Sequence, residues 1–306
     1  MGKLTVKSEF NRLRRAFPGL VRHAKPLGAG AFGLTAEYPD GSITKFFFRQ
    51  KKPSWQEYTK RSLYNEVSCL KLFNLVSFNG IQIPSLLSDP HVLNKKDFCA
   101  YYRMTKIPGT SVKWESILGR RKSIKPAVQD YFRQTGRMLA QFHKATAKLP
   151  AGNLTKWGND GLCTAPIACL KDDANKALSK VSQYLKKHAK PGFIHGDFHG
   201  ENVLSDNASH TMGLIDFGRS GRSKNIFVDF CNIPDVAMPY FIDGYEQESR
   251  KKIDPNMATM TNICLLANYI SYLKDDVKKR NKAIRTLNGY LAKVSYITGY
   301  TPPTNS

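Results

Sequence analysis

The sequence predicts an α+β protein in two lobes, and three observations carry the prediction. A glycine-rich, β-prone stretch opens the first third of the chain. Helical periodicity dominates after the Pro108-Gly109 step. One segment dense in acids and amides, Phe193 to Arg222, interrupts the helices with short strands.

The elements follow in order. The first hundred residues read as strands with one helix. A glycine-rich run from Ala24 to Leu34 leads into Thr35 to Tyr38, a Pro39-Asp40-Gly41 turn and Ile43 to Phe48, which together make a hairpin. From Gln56 to Val76 the period becomes helical, with Leu63, Val67, Leu70 and Phe73 on one face. Ile81 to Leu87 and Phe98 to Ile107 read as further strands. Beyond Pro108-Gly109, Tyr131, Thr135, Met138, Leu139 and Phe142 form a core-facing helical stripe. Lys176 to His188 reads as another helix, and short strands are expected near Phe193 to Leu204 and Met212 to Ile215. Ala258 to Lys274 and Val277 to Val294 read as helices. The boundary falls between Thr105 and Gly109, giving residues 1–107 and 108–306.

Bulk properties limit the function classes. The 306 residues suffice for two cores, and 41% apolar with 23% charged residues is ordinary for a globular protein. No run of apolar residues is long enough for a membrane helix. The basic start lacks the apolar centre of a secretion signal, and Val6 stands where myristoylation at Gly2 would want Ser or Thr. A cytoplasmic protein is expected. Cys69, Cys99, Cys163, Cys169, Cys231 and Cys264 form no C-x-x-C pair and read as buried, reduced thiols. The net charge of +23 favours anionic partners. Its basic residues are dispersed (Arg12 to Arg15, Lys51 and Lys52, Arg120 to Lys122, Lys186 and Lys187, Lys278 to Arg280), so a solvated basic surface and a polyanion groove remain equal readings.

The chemistry concentrates in FIHGDFHGENVLSDNASHTMGLIDFGRSGR, Phe193 to Arg222. Asp197 is followed five residues later by Asn202 and nineteen later by Asp216, which opens Asp216-Phe217-Gly218. Phosphoryl transfer asks the protein for positioning and charge more than for covalent chemistry. It needs a carboxylate at the acceptor hydroxyl, a task that suits Asp197. It also needs hard oxygen donors for Mg²⁺, a task that suits Asn202 and Asp216.

This segment resembles the catalytic loop and DFG motif of the kinase superfamily. Its HGD form resembles the aminoglycoside phosphotransferase branch, which also holds choline kinase-like and related small-molecule kinases. The tail IDFGRSGR, followed by Asp229, is similar to the aminoglycoside 3′-phosphotransferases, although Asp229 stands one residue later than they would place it. The resemblance implies a two-lobed protein-kinase-like fold, with ATP and Mg²⁺ as cofactors.

It also implies roles elsewhere. Gly28, Gly30, Phe32 and Gly33 lie in Gly28-Ala29-Gly30-Ala31-Phe32-Gly33, which fits the loop that covers the phosphates; a hairpin after it, in place of a helix, argues against a dinucleotide fingerprint. Lys45 stands where the family's phosphate-binding lysine sits. Glu66 is its expected partner, with Glu57 as the alternative. Met104 would border the adenine pocket, and the backbone of Thr105 to Ile107 would read the adenine edge. His195 and His143 are expected to be structural. His199 is expected either to touch the γ-phosphate or to pack the loop.

Three functions follow: a kinase moving phosphate from MgATP to a hydroxyl of a small molecule, a Ser/Thr protein kinase, and a non-catalytic anion- or nucleic-acid-binding module. HGD and GRSGR favour the first, and the lack of an A-P-E-like motif after Gly218 weighs against the second. Lys45, Asp197, Asn202 and Asp216 occurring together weigh against the third, and nucleic acid is not the expected partner. The +23 charge also weighs against polycationic aminoglycosides as main acceptors. It favours an anionic or lipid-associated one, unless Asp229, Asp235, Asp243, Glu246 and Glu248 form a negative pocket.

Overall fold

The computed structural model describes residues 6–30, 32–93, 97–119, 124–149, 166–206, 210–273 and 276–300. Gly2, Ala31, Arg120 to Lys122, Cys163 and Lys274, named above, lie outside them. The described chain runs through α1 (Val6–Ala16), β1 (Lys25–Ala29), β2 (Gly33–Glu37), β3 (Ser42–Phe48), α2 (Pro53–Phe73), β4 (Ile81–Gln82), β5 (His91–Val92), β6 (Phe98–Thr105) and β7 (Thr110–Ser111). Helices α3 (Trp114–Leu118), α4 (Pro126–Thr146) and α5 (Asp172–His188) follow. Next come β8 (Gly192–Ile194), a 3₁₀ turn at Gly200–Asn202, β9 (Val203–Asp206), β10 (Thr211–Leu214), β11 (Gly221–Ser223) and a 3₁₀ turn at Ile226–Phe230. The helices α6 (Met238–Ser249), α7 (Asn256–Tyr272), α8 (Val277–Lys293) and α9 (Ser295–Thr298) end the order.

The chain divides into two compact units. The first comprises Met1–Lys113, Lys148–Thr155 and Gly200–Ser220; the second comprises Trp114–Ala147, Lys156–His199 and Gly221–Ser306. The first unit holds an antiparallel sheet in the order β1-β2-β3-β6-β5 and a smaller sheet in the order β4-β10-β9-β7. Strand β3, SITKFFF, is apolar on both faces and mostly buried, as a central strand must be. The sequence reading did not foresee α1, which is amphipathic. Its Phe10 and Leu13 pack with Val21, Leu34, Ala36, Phe46 and Phe98, and each such side chain taken from water contributes about 1.5–3 kcal/mol. The expected strand Ile81 to Leu87 shrinks to β4 because Pro84 cannot donate to a ladder; beyond it, only a bridge from Leu86 to Met104 remains.

The second unit is helical around the β8–β11 pair. In α4, Thr135, Met138, Leu139 and Phe142 are buried as expected, while Phe132 is more deeply covered than Tyr131. Helix α6 crosses α4 at backbone contact. A Cβ on Gly136 would fall 2.1 Å from the Phe241 carbonyl oxygen, and one on Gly244 would fall 2.0 Å from that of Arg133. Any larger residue there would push the helices apart. The expected strand Phe193 to Leu204 is two strands, β8 and β9, with the HGD segment between them. Of the cysteines, Cys69 and Cys264 are buried as expected, Cys99 and Cys231 are half-buried, and Cys169 is exposed, because it lies in the turn before α5. Among the described residues, no helix is long and apolar enough to cross a membrane.

Candidate active site

Lys45 comes from the middle of β3, where it pairs across the sheet with Tyr102 of β6. Its ammonium donates to Glu66 Oε2 at 2.7 Å and to Asp216 Oδ1 at 3.0 Å. The Glu66 side chain is 1% exposed and that of Asp216 is 44% exposed, so one carboxylate is a fixed anchor and the other faces solvent. Burial alone would lower the Lys45 pKa, but the charges of Asp216 and Glu66 outweigh it and push the pKa up. Burial pushes the Glu66 carboxyl up against the pull of Lys45. Tyr102 is fully buried beside this pair, and among the described residues its hydroxyl has no partner at hydrogen-bonding geometry.

Asp216 follows β10 with φ at +66°, a left-handed backbone that Asp tolerates better than most residues. Asn202, at the end of the first 3₁₀ turn, is buried, and its carbonyl accepts from the Ile215 amide at 3.1 Å. The β9–β10 hairpin therefore binds the two expected metal ligands into one unit.

Oxygen donors of this kind suit Mg²⁺, and the half-exposed Asp216 leaves room for it. Among the described residues, no three His, Cys, Asp or Glu side chains gather to hold a metal unaided.

The glycine-rich loop joins β1 to β2. The Gly30 amide donates to the Gly33 carbonyl at 2.9 Å, and the Phe48 amide donates to the Phe32 carbonyl at 2.8 Å. Gly33 is required by packing, since a Cβ there would lie 2.4 Å from the Phe46 carbonyl oxygen. Among the described residues, a Cβ at Gly30 would meet nothing within 4 Å, and one at Gly28 would meet Thr35 Oγ1 at 3.4 Å. The bareness of the loop at those two positions is open to a ligand. The Phe32 ring stacks on Trp55 and packs against Tyr58 of α2, which gives this loop residue an anchoring contact.

Met104 is buried in β6. The strand stops at Thr105, short of the expected Ile107, because the Thr105 amide turns to the Ser85 carbonyl at 2.9 Å. That amide is committed to Ser85, so an adenine edge would meet the other backbone groups of Thr105 to Ile107. The Ile107 side chain lies over Gly213 of β10. Glu57 is exposed near the start of α2 and makes no ion pair with Lys45, whose partner on that helix is Glu66.

In the second unit, the HGD segment is held from beneath. Asp229 is 1% exposed. Its carboxylate accepts from the amides of His195 and Gly196, each at 2.7 Å, and lies 3.0 Å from His143 Nε2. The carboxylate can only accept, so Nε2 carries a proton, and Nδ1 lies 2.9 Å from the Tyr245 hydroxyl. His195 is fully buried, and its Nδ1 accepts from the Asp197 amide at 3.3 Å. Both histidines are structural, as expected. The Asp197 and His199 side chains are each about one-third exposed, with His199 Nε2 3.8 Å from Asp197 Oδ2.

Sequence reasoning missed the bracing role of Asp229, which it had grouped with the acids of a possible negative pocket. Buried beneath the loop, Asp229 belongs to no such pocket. Asp235 pairs with Lys293, Asp243 with Arg133, and Glu246 with Lys252. A shallow recess bordered by Asp243 and Glu246 also holds Arg250, Lys251 and Lys252, so it is not a negative site.

A sequence model described as the phosphotransferase enzyme family matches residues 23–224, more than half of the chain. The chain belongs to that family. No curated protein sequence matches this phosphotransferase. Its fold is similar to the GDP complex of wild-type aminoglycoside 2′-phosphotransferase-IIIa, with TM-score 0.65 and 15% identity over 95% of this chain and 100% of the other. It is also similar to the streptomycin–ATP ternary complex of APH(2″)-IIa, with TM-score 0.55 and 15% identity over 94% and 97%. Amicoumacin kinase hAmiN with AMP-PNP, Ca²⁺ and Ami gives TM-score 0.56 and 16% identity over 96% of each chain. The expected kinase-like α+β fold is the one observed.

Proposed function

We propose that this phosphotransferase moves the γ-phosphoryl group of ATP, bound with Mg²⁺, to a hydroxyl of a small-molecule acceptor. The observation that carries this reading is the Lys45 ammonium held between Glu66 and Asp216. Glu66 fixes the lysine, which would hold the α- and β-phosphates, while glycine at positions 28 and 30 puts no side chain between the loop and the phosphates. Met104 and the backbone of Thr105 to Ile107 would contact the adenine. Asn202 and Asp216 would hold Mg²⁺, which when bound would neutralise charge on the phosphates.

Asp197, five residues before Asn202 in sequence, would orient the acceptor hydroxyl and take its proton. The acceptor oxygen forms its bond to the γ-phosphorus as the bond to the β-bridging oxygen breaks. His199 Nε2 lies 3.8 Å from the Asp197 carboxylate, beyond direct hydrogen-bonding distance. The pairing of Asp235, Asp243 and Glu246 with cations, and the +23 net charge, favour an acceptor that is not a polycation. An anionic or lipid-associated hydroxyl compound fits better.

The test is incubation of wild type and Asp197→Asn with γ-labelled ATP, a metabolite extract, a protein fraction and a panel of aminoglycosides. The expected result is label on a small molecule from the extract with wild type only. Label on protein alone would favour a protein kinase, and rapid labelling of aminoglycosides would overturn the assignment of acceptor class.

A further inference from the structure

We propose that Asn65 is a positioning residue that couples helix α2 to the segment carrying the metal ligand Asp216; the inference rests on the functional reading above. Asn65 is 2% exposed. Its side-chain amide donates to the carbonyls of Phe217 at 3.3 Å, Gly218 at 3.2 Å and Ser220 at 2.7 Å. Three acceptors converge on one group, so the nitrogen must face them. An oxygen in that place would repel all three.

The contact belongs to a stripe along α2. A Cβ on Gly218 would fall 2.2 Å from Ser62 Oγ. The Cys69 thiol points to the Ser220 carbonyl at 3.9 Å, and the Phe73 ring meets Phe217 edge-on at 4.8 Å between centroids. Ser62, Asn65, Cys69 and Phe73 recur at helical spacing, so one face of α2 lies along residues 217–220. Within that face Asn65 is the strong hydrogen-bond donor.

Its neighbour Glu66 holds Lys45. Two adjacent residues of one helix thus fix the two sides of the proposed site. Glu66 sets the phosphate-binding ammonium, and Asn65 sets the backbone that follows Asp216. Asp216 sits at φ +66°, uncommon for a residue with a side chain, and the hydrogen bonds to the residues after it help to hold that geometry. Removing the Asn65 amide takes away its hydrogen bonds to those carbonyls while leaving Lys45 and Glu66 paired. Groups that orient a metal ligand in this way typically change metal affinity by about 10–100-fold.

The test is calorimetric titration with ADP, with and without Mg²⁺, on wild type, Asn65→Ala and Asn65→Ser. Wild type is expected to bind ADP more tightly with Mg²⁺ than without. Both variants are expected to keep metal-free ADP affinity within about twofold and to lose the Mg²⁺-dependent gain by about tenfold or more. Variants that fold and retain the full gain would overturn the inference and leave Asn65 a purely structural residue. Absence of any Mg²⁺-dependent gain in wild type itself would overturn the functional reading, and the inference with it.

Discussion

The Lys45 ammonium reaches Asp216 across 171 positions of sequence and meets its carboxylate at 3.0 Å. The same ammonium holds Glu66 at 2.7 Å, so a single cation pairs with a buried acid and a half-exposed one. Replacing it exposes what each contact does.

Lys45→Met strands the buried Glu66 carboxylate. Losing one partner of a buried pair costs about 3–5 kcal/mol, so urea unfolding should show a loss of that size. The double variant Lys45→Met with Glu66→Gln removes the stranded charge and should recover about half of it. A double variant no more stable than Lys45→Met would show that the pair does not set the cost.

Lys45 also predicts a pH profile. Its pKa in the folded chain lies above the ordinary value, burial being outweighed by Asp216 and Glu66. A raised lysine contributes fully below its unfolded pKa of about 10.4 and is lost only as pH climbs through the higher folded value. ADP affinity should therefore stay flat within about twofold from about pH 8 to about pH 10. An inflection below about pH 9 would contradict the raised pKa.

Asp229 predicts an effect at a residue outside the reaction. It is a buried carboxylate accepting from two amides and His143. Asp229→Ala leaves those donors unsatisfied and should lower unfolding stability by about 3–5 kcal/mol at unchanged m-value. Asp229→Asn, which retains one acceptor oxygen, should lose less. Equal losses would mean that volume rather than hydrogen bonding holds the HGD segment.

Tyr102 predicts a change of opposite sign. Burial first, then the Glu66 charge, pushes its phenol well above the ordinary range, and among the described residues the hydroxyl has no partner at hydrogen-bonding geometry. Tyr102→Phe removes a desolvated group and should be neutral or stabilising by up to about 1 kcal/mol in chemical denaturation. A destabilisation of about 1 kcal/mol or more would show that the hydroxyl bonds to Glu66.

The parts legible in the sequence were those written in local spacing. The hairpin around Pro39-Asp40-Gly41 and the apolar faces of α2 and α4 follow from period and turn chemistry. The Lys45–Glu66 pair came from resemblance to a known family. What stayed hidden depended on distant partners or on competing signals. The Phe10 and Leu13 stripe of α1 is interleaved with Arg12, Arg14 and Arg15, so its charge masked its amphipathic period. Asp229 looked like an available acid because nothing nearby in sequence reveals that it meets the backbone of His195, 34 positions earlier. Asn65 looked like a polar residue beside a more conspicuous glutamate, and only the fold brings three carbonyls to it.

We propose that Lys45, Glu66 and Asp216 together seat a magnesium-bound nucleoside triphosphate. Calorimetric titration of wild type, Lys45→Met and Asp216→Ala with AMP-PNP in the presence of Mg²⁺ tests it most directly. One nucleotide is expected to bind per wild-type chain, with affinity weakened about tenfold or more in each variant. No binding by wild type, or equal binding by all three proteins, would contradict it.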